Sequence, residues 1–362
     1  MMKKILHLAK YYSPHIGGVE THLKEVNRIL INEGNQVTVI CFKSNEEESL
    51  EEVINNVKVI RIPVNSFLQK LLIRNPFSKF LLKIKVWTWI AQHSNLFLSS
   101  DIIQVHDVMW WIWPLYMAVY YKTYLTFHGW EGRYPVRSID KYHRYFNSLG
   151  AKKTIHVGDF ISEFYLDKPT HVIYGGVTMP KDNANHKIKT EASKKILANH
   201  SQIVFLGRLE FENEIEKYLE LFELIKSEYP DIKITFVGDG SFREECQRVG
   251  QVTGYIDNPE KYLQRADLVC ASSYLSILEA QSYGKVVCSF YSHPLKKSYL
   301  TTFPGAKLMM IGSNPNDVFK KLLQLNRLDN QKLAQEIRKF AGGMGWDKVV
   351  EVYEEMWSYD KK

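Results

Sequence analysis

The sequence predicts an α/β chain folded as two doubly wound domains. Three observations predict it. Short apolar runs alternate with amphipathic helical segments, the pattern breaks once over 175–201 and restarts, and 362 residues exceed what one core ordinarily holds. Hydrophobic residues make up 45% and charged residues 24%, the balance of a globular protein. The longest apolar stretch, Val108–Tyr121, contains Pro114 and is short for a membrane span. The domains expected are 1–175 and 176–345, followed by a helical segment over 346–362.

Lys4–Ala9 alternates and forms the first strand; His7 and Lys10 interrupt its apolar run and no small-residue cleavage site follows, which argues against a signal peptide. The loop from Tyr11 to Gly18 leads into an apolar-striped helix, Val19–Glu33, and Gln36–Phe42 is the next strand of a parallel βαβ unit. Gly17 and Gly18 let the backbone approach a ligand closely, although a Gly-Gly pair is as readily a plain turn. Val57–Ile62 and Ile102–His106 are strands, and Met109–Tyr121 is expected as an aromatic helix. Thr123–Phe127 delivers His128 to a strand's carboxyl end, where open α/β sheets bind ligands; a satisfied structural histidine is the competing reading. Thr154–Val157, a short helix at Phe160 and His171–Tyr174 close this half.

In the second half the strands are Gln202–Leu206, Lys233–Val237, Gln251–Ile256, Leu268–Ala271 and Val286–Phe290. Helices Glu214–Tyr229, Phe242–Val249 and Asn258–Arg265 alternate with them, the last with Pro259 at its start. His293–Lys307 is irregular by pattern, and Asn314–Leu325, Asn330–Phe340 and Trp346–Tyr359 are helical. Arg208 follows Gly207 at a strand end, where its guanidinium fork can hold a diphosphate; ion pairs to Glu210, Glu212 or Glu214 compete. Asp267–Gly284 organises this half, because a strand, a Ser-rich turn and a helix start make an anion site. One turn into that helix, the Glu279 carboxylate can accept both hydroxyls of a ribose, yet Ser276-x-x-Glu279 is equally a capping box.

Cys41, Cys246, Cys270 and Cys288 lack paired spacing and are expected as buried thiols of a cytoplasmic protein. Residues 1–170 hold 21 basic against 15 acidic side chains and the remainder 26 against 25, so most of the +7 net charge lies in the first half. Seven basic residues (Lys58, Arg61, Lys70, Arg74, Lys79, Lys83 and Lys85) fall in Val53–Ser100 without an acid among them. From Phe67 to Trp89 they mix with Phe, Leu, Ile and Trp at helical spacing. That pattern fits a helix pair on an anionic membrane surface, or an ordinary helix with a solvated basic face. No nucleic-acid motif accompanies the charge, so nucleic acid is not expected as a partner.

In their order, the Gly17-Gly18 loop, His128, Gly207-Arg208-Leu209, Val237-Gly238-Asp239-Gly240 and Leu278-Glu279-Ala280 resemble the retaining glycosyltransferases of family 4. The resemblance covers nearly the whole chain. It implies the GT-B architecture: two Rossmann-like domains facing a cleft, with the Trp346 helix returning to the first. By resemblance, Gly17 and Gly18 line the donor phosphates and sugar, His128 faces the transferred sugar, and Arg208 stabilises the leaving diphosphate. Glu279 would hold the ribose hydroxyls, Gly254, Tyr255 and Ile256 would meet the nucleobase through backbone, and Ser273, Tyr274 and Leu275 would give amides to the diphosphate. The implied reaction moves a hexosyl group from a nucleotide diphosphate sugar to an acceptor hydroxyl with retention, using no metal or cofactor. The basic aromatic segment suggests a lipid-linked acceptor or growing surface glycan, met peripherally at the inner membrane face.

Two positions depart from the family pattern. The lysine expected five residues after the arginine is Asn213, and the first of two glutamates is Ala271. Losing one cation at a leaving diphosphate costs roughly 2–4 kcal/mol of transition-state stabilisation; Lys217, one turn further on, is the candidate substitute. Two other readings stay open. One is a degenerate relative that binds nucleotide sugar without turnover, the other a sugar-nucleotide 2-epimerase, whose acid/base set the loop Ser272–Leu275 does not offer.

Overall fold

The computed structural model describes residues 2–64, 76–181, 197–198, 200–325 and 327–358. They form two compact units, the first of Met1–Glu131, Pro135–Ile173 and Trp346–Lys362, the second of Gly132–Tyr134 and Tyr174–Gly345. Most of the break at 175–201 and the start of the Phe67–Trp89 segment lie outside the described residues.

Eight strands build the first unit: β1 (Lys4–Leu8), β2 (Gln36–Phe42), β3 (Glu51–Ile54), β4 (Val57–Ile62), β5 (Ile102–His106), β6 (Thr123–Phe127), β7 (Lys153–Val157) and β8 (His171–Ile173). Their order is β3-β4-β2-β1-β5-β6-β7-β8. Neighbours pair in parallel except β3 and β4, an antiparallel hairpin whose turn holds Asn55 and Asn56 at positive φ. That hairpin escapes the sequence reading because β3 is an acidic edge strand with no buried face. The central β5 and β6 are buried on both faces, which is why they read as continuous apolar runs. The strand order reverses between β1 and β5, and ligand sites of such sheets lie at that reversal.

Helix α1 (Gly18–Asn32) buries His22, Leu23, Val26, Asn27 and Leu30. The terminal helix Trp346–Ser358 is stitched into the same unit by polar as well as apolar contacts. Its Tyr353 hydroxyl lies 3.0 Å from both His22 Nε2 and Thr126 Oγ1, and Trp357 Nε1 donates to Gln104 Oε1 at 3.1 Å. Met109–Tyr121 is not one helix. It is a 3₁₀ stretch over Met109–Leu115, a single α turn over Tyr116–Val119 and a second 3₁₀ turn, because Pro114 lacks a donor and biases Trp113 away from helix. Helix α2 (Pro76–Gln92) precedes it, and α3 (Ser138–Leu149) follows it. The sequence reading missed α3 because its amphipathicity is inverted: Ile139, Tyr142, Phe146 and Leu149 are exposed while Arg144 and Asn147 are buried.

The second unit carries β9 (Gln202–Leu206), β10 (Lys233–Val237), β11 (Gln251–Val252), β12 (Leu268–Ala271), β13 (Val287–Phe290) and β14 (Met309–Gly312). All pair in parallel in the order β11-β10-β9-β12-β13-β14, reversing between β9 and β12. Phe205, Tyr218, Phe222, Phe236 and Phe290 fill the core, with Tyr218 and Phe222 supplied by α4 (Ile215–Glu228). The expected strand Gln251–Ile256 ends at Val252, because Gly254 turns away at φ +75° and keeps only one bridge, to Gly238. After α5 (Tyr274–Ser282) and β13, the segment His293–Lys307 is not irregular but contains α6 (Pro294–Thr301). Its buried face includes Lys296 and Ser298, so no apolar stripe announced it. All four cysteines are buried and unpaired. Among the described residues no helix is long and apolar enough to cross a membrane.

Candidate functional site

At the reversal point of the second sheet, two loops nest. Gly207 N donates to Val237 O (3.1 Å), Leu209 N to Asp239 O (2.9 Å) and Phe242 N to Leu209 O (3.1 Å). A Cβ on Gly238 would collide with Gly207 O and one on Gly240 with Leu209 O, and both have positive φ, so glycine is required where the loops meet. Arg208 projects from this nest, exposed. Among the described residues it makes no ion pair, and two of its acidic neighbours are engaged elsewhere. Glu210 accepts from Ser241 N and Oγ (3.0 and 2.6 Å), and Glu214 from Ser292 N and Oγ (3.0 and 2.7 Å). The competing salt-bridge reading of Arg208 is therefore overturned.

Asn213, in the place of the expected lysine, donates from Nδ2 to Arg208 O at 2.8 Å and braces the loop. Lys217 is no substitute cation, since its ammonium is held on Ser313 O (2.8 Å), beyond β14. The sequence reading missed Lys296. Its buried ammonium donates to Ser272 O at 2.8 Å and lies 4.7 Å above the Tyr299 ring. Burial pushes its pKa down to about 8, with Glu214 opposing that shift and Arg208 adding to it.

Helix α5 starts beside this loop: Ser276 Oγ would lie 3.9 Å from a Cβ on Gly207. Its N-cap is Ser273, whose hydroxyl donates to Ser276 Oγ (2.9 Å), so Ser276 sits inside the helix and Ser276-x-x-Glu279 is not a capping box. The half-buried Glu279 carboxylate has no hydrogen-bond partner among the described residues, and burial raises its pKa to about 7. Of the amides expected to face an anion, that of Tyr274 is taken, donating to Tyr299 Oη at 2.8 Å beneath rings stacked at 4.0 Å. Those of Leu275 and Ser276 have no partner among the described residues. Gly254, Tyr255 and Ile256 flank the same loops, the exposed Tyr255 donating to Asp239 O at 3.3 Å.

In the first unit, the buried Arg61 fixes the loop after β1. It donates to Ser13 O and Ser49 O (2.9 Å each) and pairs with Glu48 at 3.0 Å. Gly17 caps α1, and the Glu20 carboxylate, paired with His15 at 2.8 Å, lies where a side chain at Gly17 would go. The start of α1 thus already holds an internal carboxylate beside Gly17 and Gly18.

His128 leaves the end of β6 with its backbone N 3.3 Å from both carboxylate oxygens of Asp107, a left-handed residue at the end of β5. Arg144 of α3 secures the loop, donating to Glu131 Oε1 (3.0 Å) and Gly129 O with its guanidinium 4.2 Å over Tyr165. His128 Nε2 lies 2.8 Å from His106 Nδ1, and His106 Nε2 lies 2.9 Å from His7 Nδ1. Burial depresses the pKa of His7 and His128 to about 3 and that of His22 and His106 well below the usual range. The signal for this cluster was His7 interrupting an apolar strand.

Residues 16–179 match the family described as Glycosyltransferase Family 4, and residues 200–325 the family described as Glycosyl transferases group 1. A Methanocaldococcus jannaschii protein described as an uncharacterized glycosyltransferase is 25% identical, covering 98% of this chain and 97% of its own. An uncharacterized 42.6 kDa protein in the cps region of Klebsiella pneumoniae is 22% identical over 79% of this chain and 82% of its own. Sucrose-phosphate synthase from Thermosynechococcus elongatus shares the fold with a TM-score of 0.71 at 15% identity, covering 98% of each chain. Anabaena HepE, solved in complex with UDP and glucose, does so at 0.64 and 16% identity, covering 99% and 100%.

Proposed function

This chain is a glycosyltransferase with the two parallel-sheet domains of the GT-B fold, and on that premise we propose that it moves a hexosyl group from a nucleotide diphosphate sugar to an acceptor hydroxyl, with retention and without a metal or cofactor. One observation carries the reading: an Arg208 guanidinium and a Glu279 carboxylate, each without a partner among the described residues, stand on adjoining elements where the second sheet reverses.

Departure of the diphosphate builds negative charge, which preorganised cations and amides stabilise most where water is scarce. Arg208 and the Leu275 and Ser276 amides supply them, and Lys296 takes over from the cation absent at Asn213. Glu279 accepts the ribose hydroxyls, and the backbone of Gly254, Tyr255 and Ile256 meets the base. His128 with Gly17 and Gly18 attends the transferred sugar. In the step itself the anomeric carbon's bond to phosphate oxygen breaks, its bond to the acceptor oxygen forms on the same face, and the acceptor's proton passes to the departing diphosphate.

The acceptor is lipid-linked or a growing surface glycan. Exposed Phe80, Leu81 and Ile84 of α2 stand among Lys79, Lys83 and Lys85, and α3 adds Ile139, Tyr142, Phe146 and Leu149. Gly150, ending α3, abuts Met109 and Tyr116, while Trp87 Nε1 donates to Trp110 O at 2.8 Å, so the intervening 3₁₀ stretch touches both helices. Apolar side chains rimmed by lysines suit the anionic inner face of a membrane.

The test is incubation with a panel of nucleotide sugars and lipid-linked acceptors, scoring free nucleotide diphosphate and product. Sugar-dependent diphosphate release is expected. Isomerised nucleotide sugar, or binding without turnover, would replace this reading with an epimerase or a degenerate binder.

A further inference from the structure

Three imidazoles form one hydrogen-bonded file across the carboxyl ends of β1, β5 and β6, from His7 through His106 to His128, with links of 2.9 and 2.8 Å. A neutral imidazole has one N–H and one bare nitrogen. Burial keeps all three neutral near physiological pH. His106 is bonded at both nitrogens, so the file has only two proton arrangements. Either every N–H in it points toward His128, or every one points toward His7.

The two arrangements differ at the ends. If the protons point toward His7, that ring carries its proton on Nε2, which is buried and has no partner among the described residues. If they point toward His128, the same Nε2 is only a bare lone pair. An orphaned buried donor is the rarer and costlier defect. At the other end, His128 Nδ1 has no partner among the described residues and stands ready for a ligand. His22 packs edge-on against His128 at 4.9 Å but is itself engaged with Tyr353 Oη (3.0 Å).

We infer that the file fixes His128 as its Nδ1–H tautomer, so that His128 meets its ligand as a hydrogen-bond donor, with His106 and His7 as positioning residues. A solvated neutral histidine side chain prefers the Nε2–H tautomer, so without the file the same ring would more often present a bare Nδ1 there. That the atom receiving this bond is a hydroxyl oxygen of the transferred sugar rests on the transferase reading; the tautomer does not.

The experiment uses the full chain with ¹⁵N-labelled histidine and long-range ¹H–¹⁵N correlation spectra, which separate protonated from bare ring nitrogens. Among the twelve histidines, the His128 signal is identified by its loss in His128→Gln. Wild type is expected to show protonated Nδ1 and bare Nε2 at both His128 and His106 near neutral pH; protonated Nε2 at His128 overturns the proposal. His7→Met replaces the terminal donor with a thioether, which can only accept and so favours a proton on His106 Nε2; it should release His128 toward Nε2–H, whereas His7→Asn keeps a donor nitrogen and should hold the wild-type tautomer. A folded His7→Met protein with an unchanged His128 tautomer also overturns it. Should His7→Met not fold, the wild-type spectrum decides alone. A correct tautomer with no transfer activity on any donor would sink the transferase reading and leave the file standing.

Discussion

Asn213 Nδ2 and the carbonyl of Arg208 are joined by a 2.8 Å hydrogen bond, so the residue that replaces an expected cation instead shapes the loop presenting the remaining one. Arg208→Ala should therefore lower kcat/KM by about 10²–10³-fold, the usual loss of one preorganised charge-stabilising group. Its Tm should barely move, because the side chain is exposed and has no partner among the described residues. Asn213→Ala should cost about 1 kcal/mol of stability through the lost bond, with a smaller kinetic effect. Steady-state kinetics with thermal melts separates the two.

Lys296→Met should weaken nucleoside diphosphate binding more than nucleoside binding, read by calorimetry. The same variant tests the titration. Burial holds the native pKa near 8, below the ordinary value of about 10.4. Between those values the unfolded chain binds more protons, so stability contributed by this group rises as pH goes from 8 to 10. The urea midpoint of wild type minus that of the variant should increase over that range. Lys285, also lowered to about 8 and bonded to Gln264 O and Ala266 O, is common to both and cancels.

For Glu279 the sign is opposite. Its native pKa near 7 exceeds the unfolded one, so its contribution to stability is complete below about 4.3 and lost as pH rises through 7. Glu279→Gln should accordingly be more stable than wild type at pH 8. Nucleotide binding should respond the other way, because the ionised carboxylate is the stronger acceptor. Wild-type affinity for the nucleoside, which lacks the diphosphate that Lys296 serves, should fall as pH drops from 8 to 6, and the variant's affinity should stay flat and weaker.

Strands and their ends were legible because buried β-branched runs are local signals. Gln36–Phe42, Val57–Ile62, Ile102–His106 and Thr123–Phe127 fall where the pattern sets them. Elements whose logic is tertiary were not legible. α3 turns apolar side chains outward, α6 buries a lysine, and β3 exists only because β4 lies beside it. In the second-unit site, Arg208 and Glu279 announce themselves by position after a strand and a turn. Lys296 and the occupied Tyr274 amide could not be foreseen, since both depend on α6 folding back onto the start of α5.

Membrane contact has its own test. Lys79→Glu with Lys83→Glu should reduce co-sedimentation with anionic vesicles while leaving Tm unchanged. Phe80→Ser with Phe146→Ser should reduce it on anionic and neutral vesicles alike. Equal binding by all variants would remove the membrane from the proposed function.

The most direct measurement is a calorimetric comparison of nucleoside, nucleoside diphosphate and 2′-deoxynucleoside diphosphate binding to wild type, Arg208→Ala and Glu279→Ala. Convergence of both side chains on one nucleotide predicts that Arg208→Ala loses the preference for diphosphate over nucleoside, and Glu279→Ala the preference for ribose over deoxyribose. Wild-type preferences in both variants would contradict it.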